Sequence, residues 1–402
     1  MKAVIEKSKA SGAVTAPPSK SVLHRMLICA ALSSGESTIQ NVDYNEDVSA
    51  TLDCLEALGA KVEKGESTVK IGGLNPFEIK ENAVLPCRES GSTLRFLVPL
   101  AMLSGKSVTF KGSEKLLSRP LSVYEKIAEE NGFNFIKEKD TLTVCGKLKA
   151  GEYFVPGNVS SQFITGLLFA LPFCGGESRI NITSNLQSKS YVDITLWVMK
   201  KFGVSATWQN AGTLYLSSKE TFKSFDCTAE GDCSAAAFLD AFNLFGGSVS
   251  VLGLDSNTLQ GDRVYREFFE KLNEGSPVLD IADCPDLAPI LMTVAAAKNG
   301  VTLKNTARLK MKESDRGETM KEELSAFGAR IDVFENEIVV HKTPLHEPNR
   351  VLCGHNDHRV VMSLAVLSSV FSGEIDGAGA VSKSFPEFFE AIKNLGIRVE
   401  LL

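Results

Sequence analysis

Apolar residues in this chain do not alternate evenly; they gather in six blocks with polar flanks. SVLHRMLICAALSSG closes at Gly35, STLRFLVPLAMLSG at Gly105, SSQFITGLLFALPFCGG at Gly176, CSAAAFLDAFNLFGG at Gly247, DLAPILMTVAAAKNG at Gly300 and HRVVMSLAVLSSVFSG at Gly373. A segment apolar on nearly every side reads as a buried helix, and each closing glycine is expected to take the left-handed end position. A short β-rich run follows every block: STIQNV, SVTFKG, ESRINI, SVSVLG, VTLKNT and EIDGAG. An amphipathic helical stretch comes next, ending at a second glycine at 59, 132, 203, 275, 328 or 396, and strand-like runs such as TLTV and EIVV then return. The pattern predicts six copies of one buried-helix, strand, exposed-helix, strand unit.

The polar stretch KSFDCTAEGD leaves three copies on each side. Two lobes are therefore expected, residues 14–226 and residues 1–13 with 227–402, the opening strand KAVIE being given to the second. A single six-copy ring is the alternative that the repeat alone leaves open. A length of 402 residues suits two domains. A net charge of −6 argues against a partner bound through a general basic field, so no nucleic acid is expected. The start, MKAVIEKSKA, lacks the apolar core of an export signal, and apolar runs such as 163–174 are too short to span a bilayer. A cytoplasmic protein without a membrane partner is the expectation. Nine cysteines without a C-x-x-C pair read as reduced thiols. His355 and His358 flank Asp357 but fall short of a zinc ligand set, so neither metal nor cofactor is expected.

Charge changes the picture at the helix starts. The apolar blocks begin in PPSKSVLHR, ESGSTLR, GNVSSQ, EGDCS, DCPD and HNDHR, and the amphipathic helices begin near SRP, QSKSY, KMKESDR and SKSFP. Helix N-termini attract anions through unpaired N–H groups. Lys20, Arg95, Arg119, Lys312, Arg316, Arg359 and Lys383 oppose the helix dipole there, which costs stability. The same rule broken at equivalent positions points to anion binding. Asp47 and Asp262 read as helix caps, and Pro120 as a first-turn residue just after Arg119. Asp286 and Glu313 are carboxylates set among cations, open to reading as ion-pair partners or as an acid–base pair. No P-loop, Rossmann glycine motif or G-x-S-x-G elbow occurs.

At PSKS with Arg25, SRP, SSQF, KESDR, NDHR and KSFP, the chain resembles the 5-enolpyruvylshikimate-3-phosphate synthases, from PSKSVLHR to VSKSFPEFFE. The resemblance implies an α/β fold of two inside-out barrel lobes, each built from three βαβαββ units, with the substrates in the cleft they form. It implies transfer of the enolpyruvyl group of phosphoenolpyruvate to shikimate 3-phosphate, without cofactor, by a protein expected to work as a monomer. Shikimate 3-phosphate would face Lys20, Ser21, Arg25, Ser160, Ser161, Gln162, Ser188, Tyr191, Asp286 and Lys312. Phosphoenolpyruvate would face Lys20, Gly91, Arg95, Arg119, Gln162, Arg316, Arg359 and Lys383. Asp286 would take the hydroxyl proton, Glu313 would handle the proton at C3, Lys20 would assist, and His358 would support Glu313 or the departing phosphate.

Glu89-Ser90-Gly91-Ser92 departs from the family's usual Asn-[Ala/Ser]-Gly-Thr, and Arg308 stands where some members have a neutral polar residue. A sister family acting on UDP-N-acetylglucosamine shares the repeat but carries a cysteine before the matching Arg-Pro. Here GSEKLLSRP has none. A non-catalytic phospholigand scaffold is the other alternative, and it would not need both acids.

Overall fold

The computed structural model describes residues 1–402. The chain opens with β1 (Lys2–Glu6) and β2 (Ser11–Thr15), then α1 (Lys20–Ala31), β3 (Glu36–Gln40), α2 (Glu46–Leu58), β4 (Lys61–Lys64) and β5 (Thr68–Gly72). The second copy runs β6 (Ala83–Arg88), α3 (Gly91–Ala101), β7 (Val108–Gly112), a short α4 (Glu114–Ser118), α5 (Ser122–Asn131), β8 (Asn134–Lys137) and β9 (Thr141–Cys145). The third is β10 (Glu152–Val155), α6 (Ser161–Ala170), β11 (Ser178–Ile182), α7 (Lys189–Lys201), β12 (Ala206–Asn210) and β13 (Thr213–Leu216). After β14 (Cys227–Thr228) comes a fourth copy, α8 (Cys233–Asp240), β15 (Ser248–Leu252) and α9 (Tyr265–Glu274). The fifth is β16 (Val278–Asp280), α10 (Ala288–Ala297), β17 (Val301–Lys304), α11 (Arg316–Ser325), β18 (Arg330–Val333) and β19 (Glu337–His341). The sixth is β20 (Leu352–Cys353), α12 (His358–Phe371), β21 (Gly373–Asp376), α13 (Phe388–Asn394) and β22 (Arg398–Leu401).

The six apolar blocks are the buried helices. Every residue of α12 from His358 to Ser369 is buried, as is every residue of α10 from Ala288 to Ala296. Such helices have no wet face to present, so they fill the centre of a lobe while the sheets and amphipathic helices surround them. Each lobe has its own apolar core.

Strand pairing decides which stretches belong to which lobe. The first lobe is Pro18–Glu230, and the second is Met1–Pro17 with Gly231–Leu402. The crossings lie after residues 17 and 230, not after 13 and 226, because β2 pairs in full with β15 while β14 pairs with β3. Complete copies build a sheet in the order first, second, fourth, third strand, as in β6-β7-β9-β8. Where the chain changes lobes it borrows. β14 serves as first strand beside β3, and β1 fills the fourth-strand place between β21 and β22.

The fourth copy is shorter than the repeat predicts. No hairpin returns after α9, and its sheet has two strands where the other five have four. Asn243 closes part of the open edge of β15. Its side-chain oxygen accepts from the Val249 N–H at 2.6 Å, and its amide donates to the Val249 carbonyl at 2.9 Å. One side chain thereby satisfies both backbone groups that a missing strand would have paired.

The glycine expectation also shifts. Gly105 and Gly300 take positive φ, but in the third and fourth copies that position belongs to Gly175 and Gly246, one residue earlier. In the sixth it is Ser372, at φ 62°.

Candidate active site

In the second lobe, two helix starts and one turn bring the charges together. Asp357 precedes α12 and accepts from the Arg359 N–H at 3.0 Å, which caps the helix. The same buried carboxylate accepts from Arg316 Nε at 2.9 Å and Ser314 Oγ at 3.1 Å. Arg316 is the first residue of α11 and only 1% exposed. It reaches Asp286 through Nη1 and Glu313 through Nη2, each at 2.7 Å. Asp286, in the turn leading into α10, also accepts from Lys312 Nζ at 3.0 Å and Arg359 Nη2 at 3.1 Å. Arg359 contacts the Ser234 hydroxyl at the start of α8, and Lys383 donates to the Asn356 carbonyl at 2.7 Å. Asp286, Lys312, Glu313, Arg316 and Arg359 thus form one connected cluster. His358 is buried at the first position of α12.

Burial alone would raise the pKa of Asp286. Arg359, Lys312 and Arg316 outweigh it and hold the carboxyl well below its ordinary range. Burial pulls Lys312 down, and Asp286 only partly offsets that. Burial works against the charge on Arg316 as well, yet Asp357, Glu313 and Asp286 raise its pKa. Arg308, buried, donates to the Ala282 carbonyl at 3.0 Å and so braces the loop before Asp286.

The first lobe holds its cations differently. Arg25, on α1, is 2% exposed, and its partners are neutral. Nε donates to Thr195 Oγ1 at 2.7 Å, Nη1 to the Ser21 carbonyl at 2.6 Å and Nη2 to the Tyr191 carbonyl at 3.0 Å. The guanidinium also lies over the Phe96 and Tyr191 rings at 5.1 and 6.0 Å. Burial lowers its pKa to about 10, so it remains charged near neutrality. Ser188, entering α7 at φ 57°, takes a left-handed conformation that side chains seldom adopt.

A second group in that lobe centres on Arg95, which donates to Gln162 Oε1 at 2.7 Å and to the Pro120 carbonyl at 3.2 Å. Ser160 caps α6, accepting from the Gln162 N–H at 3.3 Å, and Ser161 is its buried first residue. At Gly91 a side chain would displace a guanidinium. A Cβ there would stand 2.8 Å from Arg119 Nη1 and 3.5 Å from Arg95 Nη1. Lys20, the first residue of α1, pairs with Asp47 at 2.8 Å.

Some expectations need correcting. Asp47 is not the cap of α2; Asn45 is, accepting from the Val48 N–H at 3.0 Å, which leaves Asp47 in the first turn to meet Lys20. Pro120 is not in a first helical turn, because α4 ends at Ser118 with Arg119 as its extended cap and α5 starts only at Ser122. His355 does not join His358. Its Nε2 lies 2.8 Å from Glu323, with Glu322 close by, and Arg350 already balances Glu323 at 2.9 Å. In the sequence Asp357 stands out only as a carboxylate between two histidines, although Asn-Asp ahead of an apolar block is also a capping signal. Thr195 and Ser234 carry no such signal, because only the fold brings them to an arginine.

Comparison with known proteins places the whole chain in one family. Residues 4–392 match the model of the family described as EPSP synthase (3-phosphoshikimate 1-carboxyvinyltransferase). A 3-phosphoshikimate 1-carboxyvinyltransferase of Clostridium kluyveri is 43% identical, over 98% of this chain and 97% of the relative. One from Clostridium beijerinckii is 39% identical, over 96% of each. The solved EPSP synthase of Acinetobacter baumannii superposes with a TM-score of 0.79 at 22% identity, over 99% of both chains.

Proposed function

The chain belongs to the EPSP synthase family, and from that premise we propose how its residues divide the work. The reaction moves the 1-carboxyvinyl group of phosphoenolpyruvate to the 5-hydroxyl of shikimate 3-phosphate and releases phosphate, a step in aromatic amino acid biosynthesis. In our reading, Lys20, Ser21, Arg25, Ser160, Ser161, Gln162, Ser188 and Tyr191 of the first lobe, with Asp286 and Lys312 of the second, bind shikimate 3-phosphate. Lys20, Gly91, Arg95, Arg119 and Gln162, with Arg316, Arg359 and Lys383, bind phosphoenolpyruvate.

Asp286 accepts the proton of the 5-hydroxyl as that oxygen attacks C2, while Glu313, which must take up a proton from solvent before the step, passes it to C3. The adduct then collapses: C3 returns its proton to Glu313, the C2–O bond to phosphate breaks, and the proton held by Asp286 leaves with the phosphate. Asp286 clamped by three cations is a weak base. Two phosphorylated carboxylates lying against those cations would screen them and raise its proton affinity, so the base strengthens as the substrates arrive. Lys20, kept beside Asp47, assists the departing phosphate, and His358 supports it or Glu313. The observation that carries this reading is Arg316, which joins both acids, 2.7 Å from each, from inside the lobe. We further propose that the protein works in the cytoplasm as a monomer and needs no metal.

Phosphate release from phosphoenolpyruvate is the direct test. Release is expected with shikimate 3-phosphate, to persist after chelation, and to be absent with UDP-N-acetylglucosamine. Release with the nucleotide sugar alone would overturn the assignment.

A further inference from the structure

Behind Gly91, five side chains from α1, α2 and the start of α3 close a ring. His24 Nδ1 lies 2.6 Å from Thr51 Oγ1, which lies 2.7 Å from Thr93 Oγ1. Thr93 Oγ1 donates to Ser90 Oγ at 2.7 Å. Ser90 Oγ stands 3.5 Å from Ser92 Oγ, and Ser92 Oγ stands 3.3 Å from His24 Nε2. All but Ser92 are buried, His24 being 1% exposed.

Each hydroxyl has one proton to give, which fixes the direction of the ring. Thr93 gives its proton to Ser90, so Thr51 must give its own to Thr93. His24 must then supply Thr51 from Nδ1–H, which leaves the Nε2 lone pair to accept from Ser92. The Ser90 proton is then left to face Ser92 across a long 3.5 Å gap, the weakest link of the ring. Every member donates once and accepts once around the ring, provided the imidazole is neutral. Burial ensures that by lowering the His24 pKa to about 3, a pull that Lys20 and Arg25 reinforce and Asp47 opposes.

We propose that His24 is a positioning residue: through Nε2 it holds the Ser92 hydroxyl and keeps the Gly91 backbone seated against Arg95 and Arg119. The inference rests on the reading that Gly91, Arg95 and Arg119 face phosphoenolpyruvate. Ser92 is also where this chain departs from the family's usual threonine, so a hydroxyl without a methyl group is what His24 holds here.

Three variants separate the two sides of the imidazole. His24→Gln can place its amide oxygen near the Nε2 position and keep Ser92. His24→Asn reaches only Thr51, and Ser92→Ala removes the same contact from the other end. The KM for phosphoenolpyruvate should rise roughly five- to tenfold in His24→Asn and Ser92→Ala, the worth of one lost hydrogen bond. It should stay close to wild type in His24→Gln, with the KM for shikimate 3-phosphate little changed in all three. The double variant His24→Asn/Ser92→Ala should be no worse than either single change. Equal effects of Asn and Gln, or an unchanged KM in Ser92→Ala, would overturn the proposal. Nitrogen NMR of the unmodified protein needs no variant to fold. Near neutral pH it should show His24 protonated at Nδ1 and accepting at Nε2; the other tautomer, or an imidazolium, would overturn it too. If Arg119→Ala leaves the KM for phosphoenolpyruvate unchanged, the underlying site reading fails instead.

Discussion

Arg25 and Arg316 are the two largest fully buried side chains of the protein, and they are held in opposite ways. Arg316 is surrounded by carboxylates, with Asp286, Glu313 and Asp357 all within 2.9 Å. Arg25 has backbone carbonyls, a threonine hydroxyl and two aromatic faces. The consequence is visible in their acidities. Arg316 is strengthened as a cation and Arg25 is weakened to about 10. A buried charge with neutral partners is costly unless something else balances it. The comparison teaches that the two buried guanidiniums stand in opposite electrostatic states: Arg316 is already balanced by carboxylates it holds in place, whereas Arg25 is left with a charge that only neutral groups surround. On the reading proposed above, that leaves Arg25 the one that gains most from an incoming anion.

The largest effect should come from removing an acid on the neutralised side. Glu313→Gln keeps the shape but cannot exchange a proton, so turnover should fall by about 10²–10⁴. Solvent deuterium should nearly cease to enter C3 of phosphoenolpyruvate under turnover conditions, while shikimate 3-phosphate still binds. Exchange at the wild-type rate would reduce Glu313 to an ion-pair partner of Arg316. Asp286→Asn sharpens the contrast by making the second lobe resemble the first. Lys312, Arg316 and Arg359 would share one counter-charge fewer, and unfolding in urea should show a loss of about 3 kcal/mol. Turnover should fall as well, because the hydroxyl proton loses its acceptor.

A smaller effect concerns acid stability. Free histidine titrates near 6.5, whereas His24 in the folded protein titrates at about 3. Between those values the unfolded chain binds a proton that the native state refuses, so this residue makes stability rise with pH across that window. Unfolding free energies from pH 6.5 down to 4 should therefore fall more steeply for wild type than for His24→Gln, by up to about 1.4 kcal/mol per pH unit. Parallel curves would mean that the ring of hydroxyls tolerates an imidazolium.

The sequence makes the six buried helices readable because burial on all sides leaves no polar face, and α10 and α12 follow the expected blocks closely. Sheet completion was not readable. Whether β15 has two neighbours or one depends on pairing with β2, more than 230 residues away in the chain, and on Asn243, whose amide looks like any other loop residue. Lys312, Glu313 and Arg316 stood out because their charges crowd one short stretch. Asp357 did not join them, since a single acid before a helix is commonly only a cap. His24 was hidden for the same reason: one histidine in an apolar helix reads as core, and its part in the ring needs Thr51 and Thr93 from other elements.

The claim that the two arginines serve different ends can be measured with one pair of variants. Arg25→Met and Arg316→Met both keep an apolar stem in place of the charged head. Urea unfolding would be followed for each, with and without shikimate 3-phosphate. Arg316→Met should lose about 3–5 kcal/mol without ligand, because Asp357 and Asp286 are left short of their cation. Arg25→Met should remain within about 1.5 kcal/mol of wild type without ligand. It should, however, lose most of the stabilisation that shikimate 3-phosphate gives the wild-type protein. An Arg25→Met variant that unfolds as readily as Arg316→Met, yet is still stabilised by shikimate 3-phosphate, would contradict the account.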